Sequence, residues 1–390
     1  MLDIYKQIEQ RIKEGSNLVK EVRISELDGQ VTAMVYPDFD RLKERKIINV
    51  RDEVKWYVIE AYNLNMINNI RVDSFEVVND SLALSEDEST NRNLENTEVY
   101  QQLKTYLESV TTAPITPLSH LELDLELDSL EYVMLFVYVE KSFGLHLNEA
   151  TFSNLMLMKD LVTWIEDQHQ QCVESKVVWH DVLKHKSKET LIRSPMAMMV
   201  WRAFCWPYFK LFHNIKAVGV EHLPQGNFII APTHHSALDG FAIIAALPAS
   251  VLKETFFLAY EGEFGKPLLR PIAKHSQMLL IDINKDLIAS MQRTALPLMS
   301  SKNLVIFPEN ARSRDGKLLP FKKFYAILSI ELNIPIVPVI LNGTFESMPT
   351  GAKVPKRIPI TVKFLKPVYP GDMDAETLNR YVEEYVKAHR

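Results

Sequence analysis

The chain has 390 residues, of which 47% are hydrophobic and 24% charged, and its formal net charge is −6 at pH 7. At about 150 residues per domain, this length predicts two or three domains, and the composition is typical of folded globular protein. The negative charge argues against a nucleic-acid binder, which needs a basic surface to neutralise phosphates. Two cysteines supply neither a disulfide framework nor a metal-ligand cluster, so we expect no metal site and a reducing, cytoplasmic location.

The first segment reads as a small α+β unit. Residues 1–15 are charged throughout, which does not fit a signal peptide. No run in the chain reaches the roughly 18 apolar residues that span a bilayer. The expected elements are two strands within residues 20–36 around a turn at Asp28 and Gly29, helices at 38–46 and 50–63, and a strand at 71–78.

Two polar stretches divide the rest of the chain. Residues 82–98 and 169–193 lack apolar periodicity and indicate solvated linkers. Between them, apolar residues recur at helical spacing, which predicts a compact helical bundle. After the second linker, strand-like and helix-like runs alternate, which predicts an α/β architecture. Its expected strands are at residues 227–232, 304–309, 335–343 and 360–365.

The first candidate for chemistry is a run that ends a buried strand and opens a helix, at residues 227–241. It places His234 and Asp239 with four residues between them. An imidazole serves as a base near neutral pH when a carboxylate fixes its tautomer and stabilises its protonated form. The alternative is that His234 caps the strand end and Asp239 starts the helix, since this spacing often arises by chance.

A second strand end carries Glu309, Arg312, Ser313 and Arg314. A guanidinium at such a place binds phosphate in a two-pronged geometry, with Glu309 holding the arginine or contacting the acceptor. The alternative is a surface salt bridge of little energetic value. A third run, at residues 334–341, predicts a strand whose prolines shape a sheet edge or the wall of a site, or a purely structural strand.

In this order, the three runs resemble the glycerolipid acyltransferase family typified by 1-acylglycerol-3-phosphate acyltransferases. The family's motif Asn-His-x-Ser-x-x-Asp appears as THHSALD at 233–239, and Phe-Pro-Glu-Gly-Thr-Arg-Ser appears as FPENARS at 307–313. The resemblance implies an enzyme that moves a fatty acyl group from acyl-CoA or an acyl carrier to a lysophospholipid hydroxyl. The implied catalytic residues are His234 and Asp239, and the implied substrate-binding residues are Ser236, Glu309, Arg312 and Ser313.

Two departures from the family pattern bear on the acceptor. The second motif ends in an arginine that binds the acceptor, and Ile283 stands at that position. The Gly-Thr of the third motif is replaced by Asn310 and Ala311. Catalysis should survive both changes, whereas the identity of the acceptor is open.

The stretch before the first motif, residues 194–213, combines aromatic residues and methionines with few charges. It fits a helix in the membrane interface, with Trp201, Trp206 and Tyr208 at headgroup depth, which implies a protein peripherally associated with the membrane. It equally fits a core helix that is interrupted at Pro207.

The middle segment carries a second signal, with Ser129 at a helix start after Asp128. Either residue fits a simple N-cap, and a serine there is also accessible to modification. Residues 95–168 resemble an acyl carrier protein, which implies 4'-phosphopantetheine on Ser129 and a phosphopantetheinyl transferase as partner. Five acids within residues 122–131 suit docking to basic partner enzymes.

Within the first segment, residues 31–47 and 67–80 resemble the C-terminal lid of an AMP-forming fatty acyl synthetase. The run that completes adenylation in that family bears a lysine, whereas the corresponding residues 83–93 contain none. The expected arrangement is therefore a lid-like domain at 1–82, a four-helix-type carrier bundle at 95–170 and an α/β acyltransferase at 193–390, with a mixed sheet covered by helices. An AMP-forming acyl synthetase is an expected partner. The alternative function is a phosphopantetheine-bearing carrier or scaffold whose transferase domain is inactive and binds lipid or a partner synthetase.

Overall fold

The computed structural model describes residues 2–27, 29–45, 47, 49–79, 94–145, 151, 154–168, 191–260, 273, 275–281 and 287–390. These residues form two compact units, one made by residues up to 168 and the other by nearly all residues from 191 onward. Most of both predicted linkers, Cys172 and Ile283 lie outside the described residues. Within the described ranges, no helix has both the length and the apolar character that a membrane crossing requires.

The first unit begins with a three-stranded sheet packed against helices. Its strands pair in the order β1-β2-β3, with β1 and β2 antiparallel and β2 and β3 parallel. The helix α1 was not predicted, although Ile8 and Ile12 on one of its faces are buried in the core. The elements are α1 (Leu2–Gly15), β1 (Val19–Leu27), β2 (Gln30–Pro37), α2 (Phe39–Glu44), α3 (Val50–Glu53), a π-helical turn (Val54–Ile59), α4 (Glu60–Asn63) and β3 (Ser74–Val77).

The second half of this unit contains three helices in its described residues, α5 (Glu98–Glu108), α6 (Ser129–Phe143) and α7 (Met158–Gln168). Asp128 caps α6, because its side chain accepts hydrogen bonds from the backbone N–H groups of Leu130 and Glu131 at 2.8 and 3.0 Å. Glu131 completes a capping box by accepting from the N–H of Asp128 at 2.7 Å. The N-cap reading of this motif therefore applies to Asp128.

The second unit is built on a mixed sheet of seven strands in the order β4-β10-β9-β5-β8-β6-β7. All pairs are parallel except β10 with β9. The four predicted strands are present, and β4, β6 and β7 add to them. The strands are β4 (Lys216–Val218), β5 (Ile229–Pro232), β6 (Thr255–Tyr260), β7 (Met278–Ile281), β8 (Asn303–Val305), β9 (Ile336–Asn342) and β10 (Thr361–Phe364).

Helices cover both faces of this sheet, as the sequence predicted. Along β9, Ile336 and Ile340 enter one core cluster, and Val337 and Val339 enter the other, which is the two-residue alternation of a strand buried on both faces. The helices are α8 (Pro195–Phe212), α9 (Asp239–Ala246), α10 (Ala249–Leu252), α11 (Leu287–Met299), α12 (Phe324–Leu332), α13 (Thr344–Ser347) and α14 (Ala375–His389).

At two places with prolines, the structure excludes one of the alternatives that the sequence left open. Strand β9 lies in the sheet interior, so its prolines do not mark an edge, and the carbonyl of Pro338 accepts a hydrogen bond from Leu365 N at 2.9 Å. Helix α8 is not interrupted at Pro207, which lies inside it. One face of α8 is buried through Met198, Cys205 and Phe209. Another face of α8 is exposed.

Candidate active site

The turn between β5 and α9 brings His234 and Asp239 together. His234 Nδ1 lies 2.9 Å from Asp239 Oδ2, and because a carboxylate only accepts hydrogen bonds, Nδ1 carries the proton. The same Oδ2 accepts from the backbone N–H groups of His235 and Ser236 at 2.7 and 2.8 Å. Asp239 is fully buried, whereas the His234 side chain is 21% exposed. The carboxylate of the pair is therefore held by hydrogen bonds, whereas the imidazole is partly exposed.

Glu309 joins this turn from the loop after β8. Its two carboxylate oxygens accept backbone N–H groups, Oε1 from His234 at 2.6 Å and Oε2 from Leu319 at 2.7 Å. The side chain is 3% exposed, and burial raises its pKa to about 7. The structure thus places Glu309 behind His234, where it fixes backbone, and not on the exposed side of the site.

The rest of that loop is fixed to the same turn. The N–H of Ser313 donates to the carbonyl of His234 at 2.8 Å, and the Ser313 hydroxyl donates to Asp315 at 3.1 Å. Asn310 has φ of 57°, in the left-handed region that favours glycine and that asparagine tolerates. At the position of the motif glycine, Asn310 thus adopts a backbone conformation that glycine also adopts readily. Arg312 is partly exposed.

Ser236 is fully buried, and its hydroxyl donates to the carbonyl of Met348 at 2.7 Å. Thr233 is also buried, and its hydroxyl oxygen accepts from Leu341 N at 3.1 Å, which ties the turn to β9. Among the residues expected to bind substrate, Ser236, Glu309 and Ser313 thus support the turn through intramolecular hydrogen bonds.

Two neighbours of His234 were not identified from the sequence. The ring of Phe307 stacks on the imidazole, with 4.0 Å between ring centroids and 26° between planes. His235 is 2% exposed, and neither ring nitrogen has a hydrogen-bond partner among the described residues. Its burial lowers its pKa to about 4, so the ring is neutral at physiological pH. Both residues lie inside the motif runs, which was the available signal.

In the first unit, Ser129 is the first residue of α6, directly after the capping Asp128. In the part of the chain that the structure describes, no group of three or more His, Cys, Asp and Glu side chains could hold a metal ion. Cys205 is a buried free thiol whose pKa burial raises to about 11, which suits a structural role.

Part of the chain that includes this site is similar to known proteins. Residues 214–342, which include His234, Asp239 and Glu309, match the family model described as Acyltransferase. The chain is 33% identical over 172 residues to 1-acyl-sn-glycerol-3-phosphate acyltransferase of Limnanthes douglasii, covering 43% of this chain and 59% of that protein. It is 31% identical over 153 residues to the protein of the same name from Cocos nucifera, covering 38% and 48%.

The chain therefore spans about half the length of these curated relatives. Among solved structures, it is similar to the 1-acyl-sn-glycerophosphate (LPA) acyltransferase PlsC from Thermotoga maritima, with 28% sequence identity and a TM-score of 0.43. That similarity covers 49% of this chain and 77% of the other.

Proposed function

We propose that the second unit transfers a fatty acyl group from a thioester to the hydroxyl of a lysophospholipid such as 1-acylglycerol-3-phosphate, in phospholipid synthesis or remodelling. The observation that carries this proposal is the His234–Asp239 pair, held at 2.9 Å inside the matched family region. The names of these relatives, which are 1-acyl-sn-glycerol-3-phosphate acyltransferases, support the substrate class.

The chemistry follows from the orientation of the imidazole. With Nδ1–H donated to Asp239, Nε2 of His234 is the nitrogen that takes the proton of the acceptor hydroxyl. The hydroxyl oxygen forms an ester bond to the thioester carbonyl carbon, and the carbon–sulfur bond breaks. The proton passes from His234 to the departing thiolate. Buried Asp239 stabilises the protonated imidazole through this cycle.

The polar head of the acceptor is recognised on the loop that follows β8. Arg312 and Arg314 are partly exposed there, and a guanidinium pairs with a phosphate through two parallel hydrogen bonds. Because Ile283 stands where the second motif has an arginine, Arg312 and Arg314 bind the negatively charged head group of the acceptor in this chain. Ser236, Glu309 and Ser313 contribute by holding the backbone around the bound acceptor.

The exposed face of α8 is the surface for contact with the lipid bilayer. Met196, Phe204 and Leu211 are 79%, 72% and 77% exposed and lie on one stripe of the helix. Such a stripe on a helix whose other face is in the core fits interfacial insertion. Of the predicted anchors, Trp206 and Tyr208 are exposed, whereas Trp201 donates to the Ser276 hydroxyl at 2.7 Å. The protein would thus be cytoplasmic and peripherally associated with the membrane.

The acyl donor is acyl-CoA or an acyl group on 4'-phosphopantetheine attached to Ser129, the first residue of α6. In the second case the carrier-like segment at 95–170 needs a phosphopantetheinyl transferase and an AMP-forming acyl synthetase as partners, with the lid-like segment at 1–82 as a remnant of such an enzyme. A tethered donor would reach millimolar local concentration for a short flexible linker.

The test is acyl transfer from labelled acyl-CoA, and from acylated carrier, to a panel of lipid alcohols with and without a phosphate. His234→Ala should abolish product, and His389→Ala, at an exposed histidine that ends α14, should leave it unchanged. Product that persists in His234→Ala refutes the proposed base. If no acceptor is used while Ser129 becomes modified, the chain is a carrier or scaffold with an inactive transferase unit.

A further inference from the structure

The two sequence segments of the first unit meet at a reciprocal polar contact. Glu122, in the loop before α6, is 5% exposed, and its carboxylate accepts from the backbone N–H groups of Val50 and Arg51 at 2.6 and 2.8 Å. In the opposite direction, Nη2 of the Arg51 side chain donates to the carbonyl of Leu123 at 2.9 Å. Three hydrogen bonds thus join positions more than 70 residues apart in sequence.

This contact provides a side-chain cap for the N-terminus of helix α3. The N-cap residue of α3 is Asn49, and its side chain makes no capping hydrogen bond. The first N–H groups of a helix have no intrahelical acceptor, so a carboxylate placed there satisfies them and interacts favourably with the helix dipole. Glu122 therefore caps the N-terminus of α3, although it belongs to the other segment.

Apolar packing continues the contact on both sides. Leu123 and Met156 of the carrier-like segment belong to the same buried core as Val50, Val54 and Val58 of the lid-like segment. Two further pairs cross between the segments. The rings of Phe39 and His120 lie 5.6 Å apart, and the Asn79 amide donates to Asp124 at 2.9 Å.

The pKa of Glu122 reflects the burial of its carboxylate at this junction. Burial raises the pKa of Glu122 to about 7, against the lowering effect of its bonds to the N–H groups of Arg51 and Val50. Removing one partner of such a buried contact leaves donors unsatisfied, which costs more than an exposed contact would.

We propose that residues 2–79 and 94–168 form one permanent module, in which the lid-like segment is a fixed platform for the loop at 120–124 and does not swing as an adenylation lid. The loop at 120–124 ends five residues before Ser129, so an enzyme that modifies or loads that serine docks while the lid-like segment holds this loop in place. Only this last step rests on the proposed carrier function.

The experiment uses the full chain with a site-specific protease sequence placed within residues 82–92, cleaved after folding. An affinity tag on the N-terminal fragment should retain the remaining chain through gel filtration. Glu122→Ala should weaken this association about 10- to 100-fold, the factor expected for loss of a hydrogen bond to a charged group. Glu108→Ala, at an exposed carboxylate in the same segment, is the control and should retain it.

A second measurement distinguishes the loss of this contact from misfolding of the variant. In the uncleaved chain, amide exchange at Val50 and Arg51 should be slow in the wild type and faster in Glu122→Ala, with the second unit's amides unchanged. The proposal of one permanent module is wrong if the fragments separate in the wild type. It is also wrong if they stay together in the combined variant of Glu122→Ala and Arg51→Ala. Modification of Ser129 by a phosphopantetheinyl transferase tests the carrier function separately, because its failure leaves the fragment association unaffected.

Discussion

Glu309→Gln separates two roles for the buried carboxylate behind His234. Glutamine has nearly the same shape, but it offers one acceptor oxygen and an NH₂ group where the carboxylate offers two acceptors. One of the two backbone N–H groups, of His234 or Leu319, then loses its acceptor. A lost hydrogen bond of this kind costs about 1–3 kcal/mol, so we expect kcat to fall about tenfold or more while the KM for the acceptor changes little.

The pH dependence of stability gives the sharper test. The pKa of Glu309 is raised by burial from 4.5 to about 7. Between these values the folded state holds a proton that the unfolded state has lost, so the free energy of unfolding falls as pH rises. Over about 2.5 pH units at about 1.4 kcal/mol each, the fall amounts to about 3–4 kcal/mol. Glutamine does not titrate, so the destabilisation by Glu309→Gln should be largest near pH 4.5 and shrink through pH 7.

Urea unfolding of both proteins at several pH values measures this difference, and steady-state kinetics at one pH measures kcat and KM. An unfolding difference that stays constant with pH would refute the burial argument. A large rise in the KM for the acceptor, with unchanged kcat and unchanged stability, would instead show that Glu309 binds the acceptor directly.

Three further outcomes are expected. Asp239→Asn should lower kcat by about 10²- to 10⁴-fold in steady-state assays, because an amide at Oδ2 no longer fixes the histidine tautomer. Since the pKa of His235 is lowered to about 4, the unfolding free energy should fall as pH drops from about 6.5 to 4, and His235→Phe should flatten that fall in acid unfolding. Gly219→Ala should destabilise the chain strongly in thermal unfolding, since a Cβ there would lie 2.1 Å from the carbonyl oxygen of Phe364, whereas Gly240→Ala, with nothing within 4 Å, should be neutral or slightly stabilising.

The sequence predicted those parts of the fold whose signal is local. The strands β5, β8, β9 and β10 are continuous apolar runs followed by polar turns, and the helices of the first unit have clear apolar periodicity. Helix α1 was missed although its isoleucines recur every four residues. Strands β6 and β7 were missed because short apolar runs do not distinguish a strand from a buried helix.

The sequence did not predict contacts between distant positions. The spacing of His234 and Asp239 is local and indicated their pairing. Nothing local shows that Glu309 turns inward to the backbone of His234, 75 residues away. In the same way, the polar composition of residues 82–98 predicted a solvated linker, but nothing local shows that Glu122 and Leu123 contact the segment before it.

The order of the strands in the large sheet has a consequence for synthesis on the ribosome. Strands β9 and β10 are the last to be made, yet they occupy the interior positions between β4 and β5. Until they emerge, β5 presents an apolar edge with unpaired backbone groups, which is a hazard for aggregation. The N–H of Thr233, next to His234, donates to the carbonyl of Val339 in β9 at 3.0 Å. A nascent chain should therefore bury this strand edge and complete the hydrogen bonds of the His234 turn at the same step, when β9 is inserted.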